Sequence, residues 1–278
     1  MTEQPAISFI GAGNMASAIL GGMLAGPFDA QGIWVSAPED SHLQRVRNQF
    51  GVNTTTDNKH CASQADIIIL AVKPQILRDV CQEIASVVQN TRPLVISIAA
   101  GLDTATISSW LGGDLPVIRC MPNTPALVGK GASALYATDE VDGSHRQAAE
   151  KIFASVGKAV WVKDEDQMHA VTALSGSGPA YCFLILEALE EAAVEAGIEP
   201  SEARQLAIQT MAGAAAMAQD SGEEPAQLKR NVMSPNGVTE RAIQTFEDGG
   251  LRDLIGRAYK AAQARSREMS EQLTRDTE

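Results

Sequence analysis

Two short stretches carry residue types whose spacing could do chemistry. Near the start, Gly11-Ala12-Gly13-Asn14-Met15-Ala16 fits the pattern G-x-G-x-x-A directly behind the apolar run Ala6-Ile7-Ser8-Phe9-Ile10. In that pattern the first glycine makes a tight turn, the second admits a pyrophosphate close to the backbone, and the small third residue lets helix and strand pack. A plain glycine turn is the simpler alternative, but the position right after an apolar strand favours a dinucleotide site. Near the far end, residues 233–243 read MSPNGVTERAI. Pro235-Asn236-Gly237 should form a turn, so that the amides of Gly237, Val238 and Thr239 point outward at a helix start, where free N–H groups and the positive helix end attract a carboxylate. A merely capped helix start, with Glu240 complementing the dipole, explains the same residues when they are taken alone.

The elements that must position these stretches can be read from hydrophobic patterning. Short apolar runs recur at 33–35, 67–72, 94–99, 117–120 and 159–162, several of them continuous rather than alternating, with helix-compatible segments such as 41–50 and 75–88 between them. Continuous apolar strands alternating with helices indicate a largely parallel, doubly wound sheet covered on both faces. After about residue 163 strand-like runs vanish and Ala, Glu, Leu, Met and Gln dominate. The expected fold is α/β, with a Rossmann-like domain over residues 1–164 followed by an all-α domain over 165–278. One helix should span 167–196 and another 200–219. Residues 183–189 and 211–218 are apolar over more than one helical face, so a subunit interface is expected there.

Ligands of doubly wound folds bind at the carboxyl edge of the sheet, and several residues fall there. The second strand ends Ser36-Ala37-Pro38, with no carboxylate to repel a 2′-phosphate, which favours NADPH and leaves NADH as the alternative. Glu39 lies close and no arginine is adjacent. Asn58 could add a polar contact or serve only as a turn residue. The third main strand ends Ala71-Val72-Lys73-Pro74; Lys73 could neutralise cofactor phosphate or be solvated. Ala99 and Ala100 are small enough for a nicotinamide ring to lie against, or for a close-packed turn. The run Ser175-Gly176-Ser177-Gly178-Pro179 interrupts a helix, through a kink packed on the first domain or a close approach to ligand. His169 has no Asp or Ser pairing visible around it and reads as an interfacial or exposed residue.

Composition narrows the classes. The 278 residues carry a net charge of −12, which argues against a nucleic-acid protein. The first 164 residues hold 12 basic and 15 acidic residues and the rest hold 10 and 19, so the excess acid reads as a solvated helical exterior. No run near the ~20 apolar residues of a membrane helix is evident, and the start lacks a basic leader, so a cytoplasmic protein without a membrane partner is expected. Four widely spaced cysteines suggest neither zinc nor a disulfide framework, and no metal cluster is evident.

The order and spacing of FIGAGNMA, AVKPQ, SIAAG, RCMPNTPALVG, SGSGPAY and LKRNVMSPNGVTERAI resemble the pyrroline-5-carboxylate reductase family over essentially the whole chain. Asn236 stands where that family commonly has glycine, and Ala37 where it tends to have serine; asparagine tolerates the left-handed backbone such a turn needs. The resemblance implies hydride transfer from NADPH or NADH to a cyclic imine carboxylate, giving L-proline. Gly11, Ala12, Gly13, Asn14, Met15, Ser36, Asn58, Ala71, Val72, Lys73, Pro74, Ala99 and Ala100 would bind cofactor. Asn231, Gly237, Val238 and Thr239 would bind substrate, with the Thr239 hydroxyl reaching the ring nitrogen across a cleft from the glycine turn. It also implies homodimers through the helical domain, assembled further into decamers. A β-hydroxyacid dehydrogenase would need a lysine in the first long helix after the sheet, yet no lysine occurs between Lys163 and Lys229. A cofactor-binding sensor without turnover is a reading from another class, for which Asn236 is the one supporting feature.

Overall fold

The computed structural model describes residues 4–275. The short apolar runs become strands and the segments between them helices. The order begins β1 (Ile7–Ile10), α1 (Asn14–Ala25), β2 (Ile33–Ser36), α2 (Asp40–Phe50), β3 (Asn53–Thr55), α3 (Asn58–Ala62), β4 (Ile67–Leu70) and α4 (Pro74–Thr91). It continues β5 (Leu94–Ser97), α5 (Thr104–Trp110), β6 (Val117–Met121), β7 (Gly131–Ala137), α6 (Gly143–Ala154) and β8 (Gly157–Trp161). Helices follow: α7 (Gln167–Val171), α8 (Gly178–Glu195), α9 (Pro200–Ser221), α10 (Pro225–Asn231), α11 (Val238–Asp248) and α12 (Leu251–Arg275).

Among the described residues the strands form one eight-stranded sheet in the order β3-β2-β1-β4-β5-β6-β7-β8. All neighbours pair parallel except β6 with β7. The chain leaves β1 toward β2 and later returns to β4 on its other side, and that reversal opens the crevice where doubly wound sheets bind ligands. Alternation along β4 shows why its run is continuously apolar. Ile67 and Ile69 enter one core, Ile68 and Leu70 the other, so both faces of the strand need apolar side chains. Ser8, buried beneath the second face, satisfies its hydroxyl by donating to the carbonyl of Cys61 at 2.6 Å.

By compactness the chain forms two units: residues up to Ser177 together with those from Ala262 onward, and Gly178–Ala261. In the first, the interrupting glycine-serine run forms a π-helical turn at Thr172–Gly176, and the N–H of Ser177 reaches the carbonyl of Thr172 at 2.8 Å. A Cβ at Gly176 would stand 2.8 Å from Cε of Met121, so glycine permits this close packing. Asn123 Nδ2 donates to the Ser175 carbonyl at 3.0 Å. In the second unit, α8 and α9 are joined by Arg204, whose guanidinium grips Glu190 at 2.7 and 3.0 Å. Glu247 of α11 takes Lys229 of α10 at 3.3 Å and Arg252 of α12 at 2.8 Å; the hydrogen bond from Arg252 leads in pulling its carboxyl down to about 2.

Candidate functional site

The glycine turn is fixed by what surrounds it. Gly11 has φ +114°, and a Cβ there would lie 2.5 Å from the Ala71 carbonyl oxygen, so only glycine fits between β1 and the end of β4. Its N–H donates to Ser36 O at 2.8 Å, and Ala71 N–H donates to Ile10 O at 2.8 Å, locking the ends of β1, β2 and β4 together. At Gly13, the residue before α1, a Cβ would meet nothing within 4 Å. The 12-residue helix that follows has no side-chain cap and no acidic residue in its first turn. Its first amides, at Asn14 and Met15, have no acceptor among the described residues and lie at the positive dipole end, which suits a pyrophosphate. Ala12 is buried while Asn14 is exposed.

Other expected cofactor residues lie on the same sheet edge. Val72 lies 3.1 Å from the Gly11 Cβ position, and Lys73 is the exposed residue capping α4, with Pro74 as its first helical residue. Ala99 is buried and Ala100 half-buried just past β5, where Ile98 N–H donates to Leu70 O at 3.1 Å. Ser36 and Asn58 do meet, but each occupies the other. The fully buried Ser36 donates to Asn58 Oδ1 at 2.7 Å, and Asn58 Nδ2 donates to Glu83 at 2.8 Å. A second basic group at this edge, besides Lys73, is Arg45 of α2, with Nη2 3.5 Å from the Ala12 carbonyl oxygen. The sequence reading found no arginine next to β2; the α-helical path brings one back from nine residues beyond Ser36.

In the second unit, Asn236 adopts the left-handed conformation, φ 59°, that the departure from glycine requires. Its N–H donates to Glu240 Oε2 at 2.7 Å, so Glu240 reaches back from the first turn of α11 to cap the turn. Gly237 N–H is spent on Ser234 O at 2.9 Å. This corrects the expectation for Gly237: the amides at this start with no acceptor among the described residues are those of Val238, Thr239 and Glu240. Val238 is 90% exposed. A concavity of about 250 Å³ beside the turn is lined by Asn236, Gly237, Glu240, Arg241 and Gln244, without Thr239. Asn231 lies at the end of α10, its Nδ2 donating to Glu223 at 2.9 Å and its Oδ1 accepting from Gln227 at 2.6 Å.

Two polar arrangements in the first unit have no sequence signature. Arg119 of β6, 3% exposed, meets Glu165 Oε1 at 3.2 Å, and the same carboxylate accepts from Thr104 N–H at 2.8 Å and Thr104 Oγ1 at 2.7 Å. His169 Nδ1 hydrogen-bonds Ser266 Oγ at 2.9 Å, so the histidine does have a serine partner, 97 residues on. Among the described residues no group of three His, Cys, Asp or Glu side chains could hold a metal ion.

A doubly wound sheet with a glycine-turn anion site, followed by helices, defines a dinucleotide-dependent oxidoreductase. The profile described as "NADP oxidoreductase coenzyme F420-dependent" matches residues 6–101, and the profile for pyrroline-5-carboxylate reductase dimerisation matches 165–269. The chain is 44% identical over 269 residues to the pyrroline-5-carboxylate reductase of Pseudomonas aeruginosa, covering 97% of this chain and 98% of that one. It superposes on the solved pyrroline-5-carboxylate reductase of Coxiella burnetii with a TM-score of 0.93 at 43% identity, covering 96% of this chain and 99% of that one. For the Plasmodium falciparum pyrroline carboxylate reductase, solved with NADP bound, the TM-score is 0.84 at 30% identity, covering 97% and 100%. The chain belongs to the pyrroline-5-carboxylate reductase family.

One sequence expectation needs correction here. The helical run Gln167–Glu195 is long and apolar enough to cross a membrane by length and composition. It falls within the stretch matched to dimerisation, which supports homo-oligomerisation. Phe183 and Leu184, each 64% exposed, are the kind of apolar surface that a subunit contact covers.

Proposed function

We propose that the chain reduces 1-pyrroline-5-carboxylate to L-proline with NADPH, and more weakly with NADH. Residues 1–164 would serve as the dinucleotide-binding domain and 165–278 as the dimerisation and substrate domain, in cytoplasmic homodimers assembled further into decamers. Four unpaired cysteines accord with a reducing compartment. The observation that carries the reading is the glycine turn at Gly11, closed against Ala71 and open above Gly13.

The bound nicotinamide cofactor supplies the hydride. The Asn14 and Met15 amides would hold its pyrophosphate, and Ala99 and Ala100 would leave room for a flat ring at the sheet edge. The free N–H groups of Val238 and Thr239 hold the substrate carboxylate, and the Thr239 hydroxyl hydrogen-bonds the ring nitrogen. Asn231 joins them by exchanging its bond to Glu223. A protonated imine accepts hydride readily, so these residues would act mainly by holding and orienting the ring carbon. Stabilising the nitrogen as it becomes an amine needs no strong acid.

The test is oxidation of NADPH, followed at its absorbance band, with purified chain and pyrroline-5-carboxylate. Stoichiometric appearance of proline is expected. Tight NADPH binding without turnover would establish the sensor reading in its place.

A further inference from the structure

We propose that Arg45 is the residue by which this chain recognises the 2′-phosphate of its cofactor, a role that rests on the dinucleotide reading above. An arginine near the glycine turn can accommodate such a phosphate where the end of the second strand offers no carboxylate. The polar groups at that strand end are already engaged. The Ser36 hydroxyl is turned inward to Asn58, Ala37 is buried and has no polar side-chain atom, and Pro38 has no N–H.

Several cations and acids nearby are similarly engaged, although the ammonium groups of Lys59 and Lys73 are not. On α2, Arg47 is tied to Thr54 of β3 at 2.9 Å, and His42 stands 3.8 Å from Glu39. Asp40 accepts from Gln44 at 2.6 Å. On α3, Asp57 is occupied by the N–H groups of Lys59 and His60. Arg45 differs: its recorded bond is the long contact with the Ala12 carbonyl, and it has no carboxylate partner among the described residues. A guanidinium has five donors in a planar fork, so it can keep the backbone contact and still present two donors to a phosphate. The contact holds it against the glycine turn on the helix that directly follows the second strand, beyond which the adenosine ribose lies in such sites, and Leu43 and Val46, buried on either side of it in sequence, anchor that helix.

The experiment measures dissociation constants of NADPH and NADH by quenching of tryptophan fluorescence, and of 2′,5′-ADP and 5′-AMP by calorimetry, for the unaltered chain, Arg45→Gln and Arg45→Lys. The unaltered chain should prefer the 2′-phosphorylated member of each pair. Arg45→Gln should cut that preference at least tenfold, while Arg45→Lys keeps part of it with a steeper dependence on salt. A preference in Arg45→Gln within twofold of the original overturns the proposal, as does an equal loss for both members of each pair. Either result leaves the dinucleotide reading standing. Failure of the unaltered chain to bind any of the four ligands overturns both.

Discussion

Glu165 closes over the buried guanidinium of Arg119 at 3.2 Å and also takes both the N–H and hydroxyl of Thr104. One carboxylate thus ties β6, the start of α5 and the segment entering α7. Removing one partner of such a pair leaves an uncompensated buried charge, typically at a cost of about 3–5 kcal/mol. Glu165→Ala should therefore lower the midpoint of urea unfolding by roughly that energy, and Glu165→Gln by less because the amide still accepts from Thr104. An unchanged midpoint in the alanine variant would mean that solvent already screens the pair.

His169 gives a pH dependence with a definite sign. Burial chiefly lowers its proton affinity below the ordinary 6.5, and Arg119 and Arg267 add to that, while Asp166 and Glu165 oppose it. The folded chain holds fewer protons than the unfolded one at this site, so its contribution to stability is complete above 6.5 and is lost as pH falls through the lowered value. Thermal midpoints of the unaltered chain should drop between pH 7 and 5, and His169→Gln should flatten that drop. Parallel curves for the two proteins would remove His169 from the effect.

Thr239→Ala should reduce kcat by about 10²-fold or more while leaving the NADPH dissociation constant nearly as it was. Thr239→Ser, which keeps the hydroxyl, should recover most of the rate. Steady-state kinetics paired with fluorescence titration separates the two quantities, and an undiminished kcat in the alanine variant would take Thr239 out of the mechanism.

Gly11→Ala places a methyl 2.5 Å from the Ala71 carbonyl oxygen at φ +114°. Backbone strain of roughly 1–3 kcal/mol is expected on top of the clash, with a lower melting temperature and weakened binding of both NADPH and NADH. Calorimetric melting with and without cofactor reads both effects; a stabilisation by NADPH equal to that of the unaltered chain would show that the turn adapts.

The parts legible in the sequence were those written locally. An apolar tetrapeptide, a glycine turn and a proline at the first position of a helix act within a few residues, so β1, α4 and the start of α9 could be placed without coordinates. Asn236 could be read the same way, since its tolerance of a left-handed backbone is a property of one residue. Contacts across the chain could not: Arg45 lies 33 residues from Ala12, Arg119 46 from Glu165, and His169 97 from Ser266. Ser36 shows a subtler limit, because its position at the strand end was evident but its hydroxyl's commitment to Asn58 depends on where α3 returns.

Because residues from Ala262 onward belong with the sheet-bearing unit, that unit is encoded in two stretches separated by the whole of the other unit. His169 and Asp166 meet their partners Ser266 and Arg267 only after 97 and 101 further residues. At about 10 residues per second on the ribosome, roughly ten seconds pass between the addition of these residues and that of their partners. A nascent chain halted before Ser266 would thus carry a sheet whose last fastenings do not yet exist, and proteolysis of such arrested chains should cut first near His169.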